Sequence, residues 1–212
     1  MARIAIVGAS GLIGSHLVDD LDGHDVLALS RRPVLPDREG VREKVGEMGE
    51  WPAMLANEEV DVAIATIGTT WAKVKDWEKF DRIDRHAVVD FCRAAHSAGA
   101  RQAIIVSSTM ADAASKNRYL AIKGQMERDV ESLGFERLDI VRPGLLRGKR
   151  GSERRLKERL GILVSPLVNP LMPCNLRAID AAEVAKAMAA LVGRGGGGTT
   201  IHTNDAIRAL AR

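Results

Sequence analysis

Tyr119 and Lys123 stand four residues apart in Tyr119-Leu120-Ala121-Ile122-Lys123, a spacing that puts both side chains on one face of a helix. A phenol titrates near pH 10 and is a sluggish proton donor at neutral pH. An ammonium one helical turn away favours the phenolate, so such a pair can pass a proton to or from a carbonyl oxygen. Tyr119 is the only tyrosine of the chain. Upstream of it, Ile104-Ile105-Val106-Ser107-Ser108-Thr109 is an apolar run that ends in hydroxyls. A hydroxyl at a strand end can polarise a carbonyl and orient the tyrosine. Ser108 is the first choice for that role and Thr109 the second; a hydrogen-bonded strand-end turn is the plain alternative. Lys123 can also hydrogen-bond the ribose of a bound nucleotide. A Tyr-x-x-x-Lys pair arises easily by chance on an exposed helix, and the rest of the chain is what gives this one weight.

The weight comes from the N-terminus, where Ala2-Arg3-Ile4-Ala5-Ile6-Val7 runs into Gly8-Ala9-Ser10-Gly11-Leu12-Ile13-Gly14 and then into a helical pattern. An apolar strand, a glycine turn and a helix in that order form a dinucleotide cradle. Gly8 permits the tight turn, Gly11 lets the backbone approach a pyrophosphate, and Gly14 lets the helix pack closely on the strand. The helix start, with Ser10, Leu12 and Ile13 in the turn, faces the phosphates with free N–H groups. The glycine spacing is GxxGxxG rather than GxGxxG. The second strand, Asp25 to Ser30, ends in Ser30-Arg31-Arg32-Pro33. A carboxylate is usual there when the ribose 2′-hydroxyl is bound; arginines offer donors to a 2′-phosphate instead. The expected cofactor is therefore NADP(H), although a solvated arginine pair is ordinary in an Arg-rich chain.

Apolar runs alternate with helical patterns along the chain, which predicts an α/β fold: a Rossmann-type, doubly wound parallel sheet. Strands are expected over Ala2–Val7, Asp25–Ser30, Val41–Val45, Asp61–Ile67, Arg101–Ser107, Leu138–Val141 and Thr199–His202. Helices are expected over Leu12–Leu21, Asp76–Ala98, Ser115–Leu133, Asp180–Leu191 and Asp205–Leu210, several of them closed by glycine. Ser152–Leu160 reads as a basic amphipathic helix and Ser165–Pro173 as a proline-rich loop. No linker divides the 212 residues. One domain over 1–212 is expected, with about 151–212 forming a small cap on the substrate side.

Composition narrows the function classes. Net charge is +3 and aromatic residues are 3%, too few for a base-stacking surface, so no nucleic-acid partner is expected. No apolar run reaches 18 residues, and the start carries no leader pattern; neither a membrane span nor a targeting segment is expected. Cys92 and Cys174 lack metal-ligand spacing and read as buried small hydrophobes. The five histidines show no paired spacing. Arg outnumbers Lys by 22 to 9, which suggests a GC-rich bacterial genome, and the expected location is the cytoplasm. Trp51, Trp71 and Trp77 look too scattered to form a platform, though Trp71 can either wall a substrate site or pack in the core. The basic stretch Arg147, Lys149, Arg150, Arg154, Arg155, Lys157 and Arg159 reads first as a solvated helix face and second as an anion or partner site.

The glycine turn, the arginine pair, the Ser-Ser strand end and Tyr-x-x-x-Lys stand in the order of an atypical short-chain dehydrogenase/reductase. The chain resembles most the Tat-interacting-protein-like oxidoreductases of that group. Further matches are Ile67-Gly68-Thr69-Thr70, Tyr119-Leu120 with Lys123-Gly124 and Glu127, and Arg142-Pro143-Gly144-Leu145-Leu146-Arg147-Gly148. They cover about residues 2 to 150. The resemblance implies that Thr66, Ile67, Gly68 and Thr69 lie along the cofactor with Ser107, and that Pro143, Gly144, Leu145 and Leu146 close on the nicotinamide. It implies an NADP(H) binder that acts on a small molecule or through partner proteins. Two functions follow as expectations: reduction of a carbonyl on a small molecule by NADPH, or a regulator or assembly factor that binds NADP(H) without turnover. A nucleotide-sugar epimerase uses the same Ser, Tyr and Lys but normally a larger C-terminal substrate region. A homodimer is one open assembly.

Overall fold

The computed structural model describes residues 1–36, 38–148 and 177–212. The expected helix Ser152–Leu160, the loop Ser165–Pro173, Cys174 and the basic stretch beyond Arg147 lie outside the described residues.

Seven strands form one sheet: β1 (Arg3–Val7), β2 (Asp25–Ser30), β3 (Val41–Val45), β4 (Val62–Ala65), β5 (Gln102–Val106), β6 (Arg137–Val141) and β9 (Gly198–His202). Two short strands, β7 (Leu146–Arg147) and β8 (Ile179–Asp180), pair apart from it. The order in the large sheet is β3-β2-β1-β4-β5-β6-β9, with every neighbouring pair parallel. The chain winds outward from β1 to β3, then returns and winds outward the other way from β4. In such a sheet the ligand crevice opens at the carboxyl ends of the strands where the winding reverses, here between β1 and β4.

Strand alternation explains why both faces are covered. Ile4, Ile6, Val26, Ala28, Ile64 and Ile104 point to one core, shared with α1 (Gly14–Asp20) and the helix Ala181–Ala189. Ala5, Val7, Leu27, Leu29, Ala63 and Ile105 point to the other, shared with α5 (Ala87–Ser97) and α6 (Arg118–Glu131). Cys92 lies in this second core, where burial pushes its thiol up to about 12; it is an inert apolar filler, as its isolation in the sequence suggests.

The long helix expected over Asp76–Ala98 is present but interrupted. α4 (Trp77–Asp81) passes into a π turn, Arg82–His86, before α5. Two short helices, α2 (Trp51–Leu55) and α3 (Trp71–Val74), replace expected loop. The strand expected over Asp61–Ile67 is shorter, and the helix expected from Ser115 begins at Arg118, because Asn117 caps it by accepting from the Tyr119 N–H at 3.0 Å and the Leu120 N–H at 3.4 Å. No helix among the described residues is long and apolar enough to cross a membrane.

A buried polar cluster fixes the β6 edge. Asp139 is fully buried and accepts hydrogen bonds from Arg137 Nε at 2.7 Å and Gln102 Nε2 at 2.8 Å, with His202 Nε2 at 2.8 Å. Burial pushes its carboxyl up, and the bonds from His202, Arg137 and Gln102 together outweigh it, holding the group down to about 2. Its folded value lies below the unfolded one, so the stability it contributes is present above about pH 4 and is lost as pH falls toward 2.

Candidate functional site

The glycine turn is built by close packing. Gly8 has φ of +89°, and a Cβ there would stand 2.6 Å from Ile67 N. A Cβ on Gly14 would stand 2.2 Å from Gly8 O. Both positions therefore admit only glycine: Gly8 for the left-handed turn and the approach of the β4 exit, Gly14 for the helix start riding on the strand end. Gly11 is less confined, its Cβ falling 3.0 Å from Gly8 O and 3.8 Å from Thr66 O. α1 begins without a side-chain cap. Ile13, expected in the cofactor turn, has its side chain in the core, so only its backbone can serve a phosphate.

Beside this turn a cleft of ≈ 340 Å³ is lined by Gly8, Ser10, Arg31, Arg32 and Ile67, together with Trp51 and other residues. It thus brings together the glycine turn and the arginine pair. Behind the arginine loop, on the β3 side, stands a carboxylate that the sequence does not reveal. Glu43, paired with Ala28 across β2 and β3, accepts from Ser30 Oγ at 2.7 Å and from the Val34 and Leu35 N–H groups at 3.2 and 3.3 Å. It ties the loop that holds Arg31 and Arg32, and its lone pairs face that loop's own donors. A larger depression of ≈ 1020 Å³, with Asp76, Asp81 and Asp90 in its walls, holds none of the expected catalytic residues.

The segment Thr66–Thr69 joins the cleft to the chemical pair. Thr66 Oγ1 donates to Val7 O at 3.1 Å. Thr69 N–H donates to Asp84 Oδ2 at 2.8 Å, and the other carboxylate oxygen of Asp84 lies 2.8 Å from Lys123 Nζ. Both side chains are nearly inaccessible, at 1% for Asp84 and 5% for Lys123. A Cβ on Gly68 would come within 3.9 Å of Lys123 Nζ. Lys123 is therefore a buried, paired ammonium aimed at the loop after β4, rather than a solvated lysine. Asp84 is the residue that sequence reasoning missed. It sits on the π turn, a one-residue bulge that resets the phase of the helix and is frequent at functional sites.

α6 is held against the loop after β5 at two points. A Cβ on Gly124 would meet Ala113 N at 2.2 Å, and Asp112 N–H donates to Leu120 O at 3.2 Å. This registers Tyr119 and Lys123 against the segment carrying Ser108. Ser108 Oγ donates locally to Thr109 O at 3.2 Å, and Thr109 N–H donates to Pro143 O at 3.2 Å. Ser107 Oγ is buried without a protein partner. The Tyr119 ring meets Phe80 edge-on, with centroids 5.7 Å apart.

The 143–148 segment reaches the same region. Gly144 N–H donates at 3.1 Å to Oδ1 of Asn204, a fully buried residue that the sequence does not single out. A Cβ on Gly148 would lie 2.6 Å from Leu12 Cδ1, so the segment lies against the glycine turn. Arg142 and Glu127, both among the motif residues, form a bidentate pair that fastens the end of β6 to α6.

A nicotinamide dinucleotide fits this constellation: a turn whose first and third glycines leave no space for a Cβ, arginines along one wall of a cleft, and an orphaned buried hydroxyl on Ser107. Gly11→Ala tests the cradle more cleanly than changes at Gly8 or Gly14, since a small shift of Gly8 O accommodates the methyl. The variant is expected to unfold at nearly the parent's temperature while its dinucleotide affinity falls at least about tenfold, because the methyl stands where the pyrophosphate must approach. Titration of cofactor fluorescence measures it; parent-like affinity would show that phosphates do not lie on this turn.

Comparison with known proteins agrees. The NAD dependent epimerase/dehydratase family matches residues 4–127. Among curated relatives, "Protein fmp52, mitochondrial" of Aspergillus niger is 33% identical over 165 residues, covering 73% of this chain and 70% of that protein. "Protein FMP52, mitochondrial" of Candida albicans is 31% identical over 193 residues, covering 85% and 83%. Among solved structures, WbmH of Bordetella bronchiseptica in complex with NAD+ superposes with a TM-score of 0.73 at 16% identity, over 100% of this chain and 79% of that one. MoeE5 in complex with UDP-glucuronic acid and NAD gives 0.70 at 18%, over 94% and 75%; at such identities the likeness is one of fold. These relatives correct two expectations. Proteins named mitochondrial, from fungi, stand against both the cytoplasmic location and the bacterial origin read from composition. The arginine excess reports on codon composition, which does not distinguish kingdoms, and apolar patterning of the first strand says nothing of compartment. Family match, relatives and fold converge: the chain belongs to the NAD dependent epimerase/dehydratase family, as an atypical short-chain dehydrogenase/reductase built around a nicotinamide dinucleotide.

Proposed function

We propose that this protein is an NADPH-dependent oxidoreductase that reduces a carbonyl on a small molecule. The observation that carries the reading is the buried Lys123, paired with Asp84 against the Gly68–Thr69 turn and one helical turn from Tyr119. The bound dinucleotide would supply the hydride from its nicotinamide. The backbone of Gly8 to Gly14, with Ser10, would hold the pyrophosphate. Arg31 and Arg32 would take the 2′-phosphate, and Thr66 to Thr69, Ser107 and Pro143 to Leu146 would border the remainder. Tyr119 is the proton donor to the carbonyl oxygen. Lys123 would assist it from one helical turn away and hydrogen-bond the ribose. Ser108 polarises the carbonyl and orients the phenol; its present bond to Thr109 O is a local one that a substrate oxygen can replace.

The phosphate reading has its own test. NADPH is expected to bind more tightly than NADH, and Arg31→Ala combined with Arg32→Ala to remove most of the difference. Each charged hydrogen bond lost accounts for about 1.5 kcal/mol, or tenfold, at the lower end expected for exposed groups. Titration of both cofactors into parent and variant decides it, and equal affinity in the parent would refute the preference. Consumption of NADPH across a panel of aldehydes and ketones tests the reaction itself. Tight NADPH binding with no compound turned over would favour a binding module over an enzyme.

A further inference from the structure

The chain holds seven aromatic residues, three Trp, three Phe and one Tyr. Four of them stand in one file. Trp71 stacks on Trp77 with centroids 4.2 Å apart and planes 24° from parallel; Trp77 meets Phe80 edge-on at 5.6 Å, and Phe80 meets Tyr119 edge-on at 5.7 Å. The inner end of the file is the proposed proton donor. Phe80 is fully buried, and the outer end, Trp71, is 44% exposed. Arg118, next to Tyr119 in the chain, lies over the Trp77 ring at 5.4 Å. The scatter of tryptophans in the sequence is thus removed by the fold, which stacks two of them.

Trp71 is also tied to the site through the backbone. It follows Thr69, whose N–H is bound to Asp84, by two residues. Large apolar side chains are also exposed on the loops after the next two strands: Met110 after β5, at 63%, and Leu145 after β6, at 53%. With Trp71 after β4, they leave the carboxyl ends of three neighbouring strands. Met110 holds φ of +62°, a left-handed conformation that a side-chain-bearing residue rarely adopts and that recurs at binding sites. Exposed apolar side chains scattered singly need no explanation, but three on the loops after adjacent strands, at the end of the sheet where the ligand crevice opens, do.

We propose that Trp71, backed by Trp77 and joined by Met110 and Leu145, is the platform for the substrate, and that the substrate is a carbonyl compound with a flat aromatic or conjugated apolar body. Stacking on the exposed Trp71 face fixes such a body in the offset geometry that rings prefer. Met110 and Leu145 add apolar contact and offer no side-chain donors to the hydroxyls of a sugar, which separates this mouth from one made for nucleotide sugars. The inference rests on the reading of the site as a carbonyl reductase, and its test separates the two.

The probes are 2-naphthaldehyde, its alcohol 2-naphthylmethanol, glyceraldehyde and UDP-glucose. Calorimetry of 2-naphthylmethanol with the NADPH-loaded full chain is expected to show binding that weakens about tenfold in Trp71→Ala and is restored in Trp71→Phe. The preference for 2-naphthaldehyde over glyceraldehyde, as a ratio of kcat/KM, should fall by the same factor. If the alcohol binds in a Trp71-dependent way but the aldehyde is not reduced, the platform stands and the reductase reading falls. If the aldehyde is reduced with the same KM in Trp71→Ala, the reductase stands and the platform is overturned. Binding of UDP-glucose with none of 2-naphthylmethanol overturns it too.

Discussion

Tyr119→Phe is expected to lower the single-turnover rate of NADPH oxidation by about 10²–10⁴-fold, the usual share of general acid catalysis. The change removes one oxygen and keeps the ring that packs edge-on against Phe80, so fold and cofactor affinity should stay at parent levels. Stopped-flow absorbance of the reduced nicotinamide, with any carbonyl compound the parent accepts, gives the rate directly. A variant that keeps full activity would show that the proton reaches the carbonyl oxygen from another group.

The second large effect concerns Lys123. Lys123→Ala takes away the ammonium one helical turn from Tyr119 and leaves the Asp84 carboxylate buried without its counter-charge. Removing one partner of a buried pair costs about 3–5 kcal/mol, whereas replacing both by neutral groups of similar volume is often neutral. Lys123→Met combined with Asp84→Asn should therefore recover most of the lost stability, because the asparagine oxygen can still accept from Thr69 N–H. Turnover should stay low in both variants. Chemical denaturation and single-turnover kinetics, run side by side, separate the two roles of the lysine. A Lys123→Ala variant as stable as the parent would contradict a buried pair, and a double variant with full activity would contradict the chemical role.

What could be read from the sequence follows from how local each signal is. β1, β2 and β5 are short apolar runs that feed a glycine turn, an arginine pair and a hydroxyl cluster, and each run carries its neighbours to a sheet end whatever the rest of the chain does. Tyr119 and Lys123 share a helix face by spacing alone. Asp84 escaped because its partners, Lys123 and the Thr69 N–H, come from distant segments, and because the π turn that aims it breaks the 3.6-residue phase on which a helical pattern is judged. Glu43 is hidden for a related reason: an acid at the end of β2 would be a local signal, while this carboxylate arrives from β3 through sheet pairing. Asn204 holds Gly144 from a helix start far along the chain. Trp71 and Trp77 are six residues apart, a spacing that suggests no contact until the left-handed Lys75, with φ of 50°, turns the end of α3 back toward α4. In each case the missing information is tertiary, and in each case the residue lies in or beside the site.

The central claim is transfer of a hydride from a nicotinamide dinucleotide to a carbonyl carbon on this chain. The direct measurement uses NADPH deuterated at the transferring C4 position, mixed with the purified protein and a panel of aldehydes and ketones, and weighs the alcohols formed by mass spectrometry. The result expected is an alcohol one mass unit heavier than that made with unlabelled NADPH, formed by the parent and only at the depressed rate by Tyr119→Phe. Tightly bound NADPH that passes no deuterium to any compound of the panel would contradict the claim.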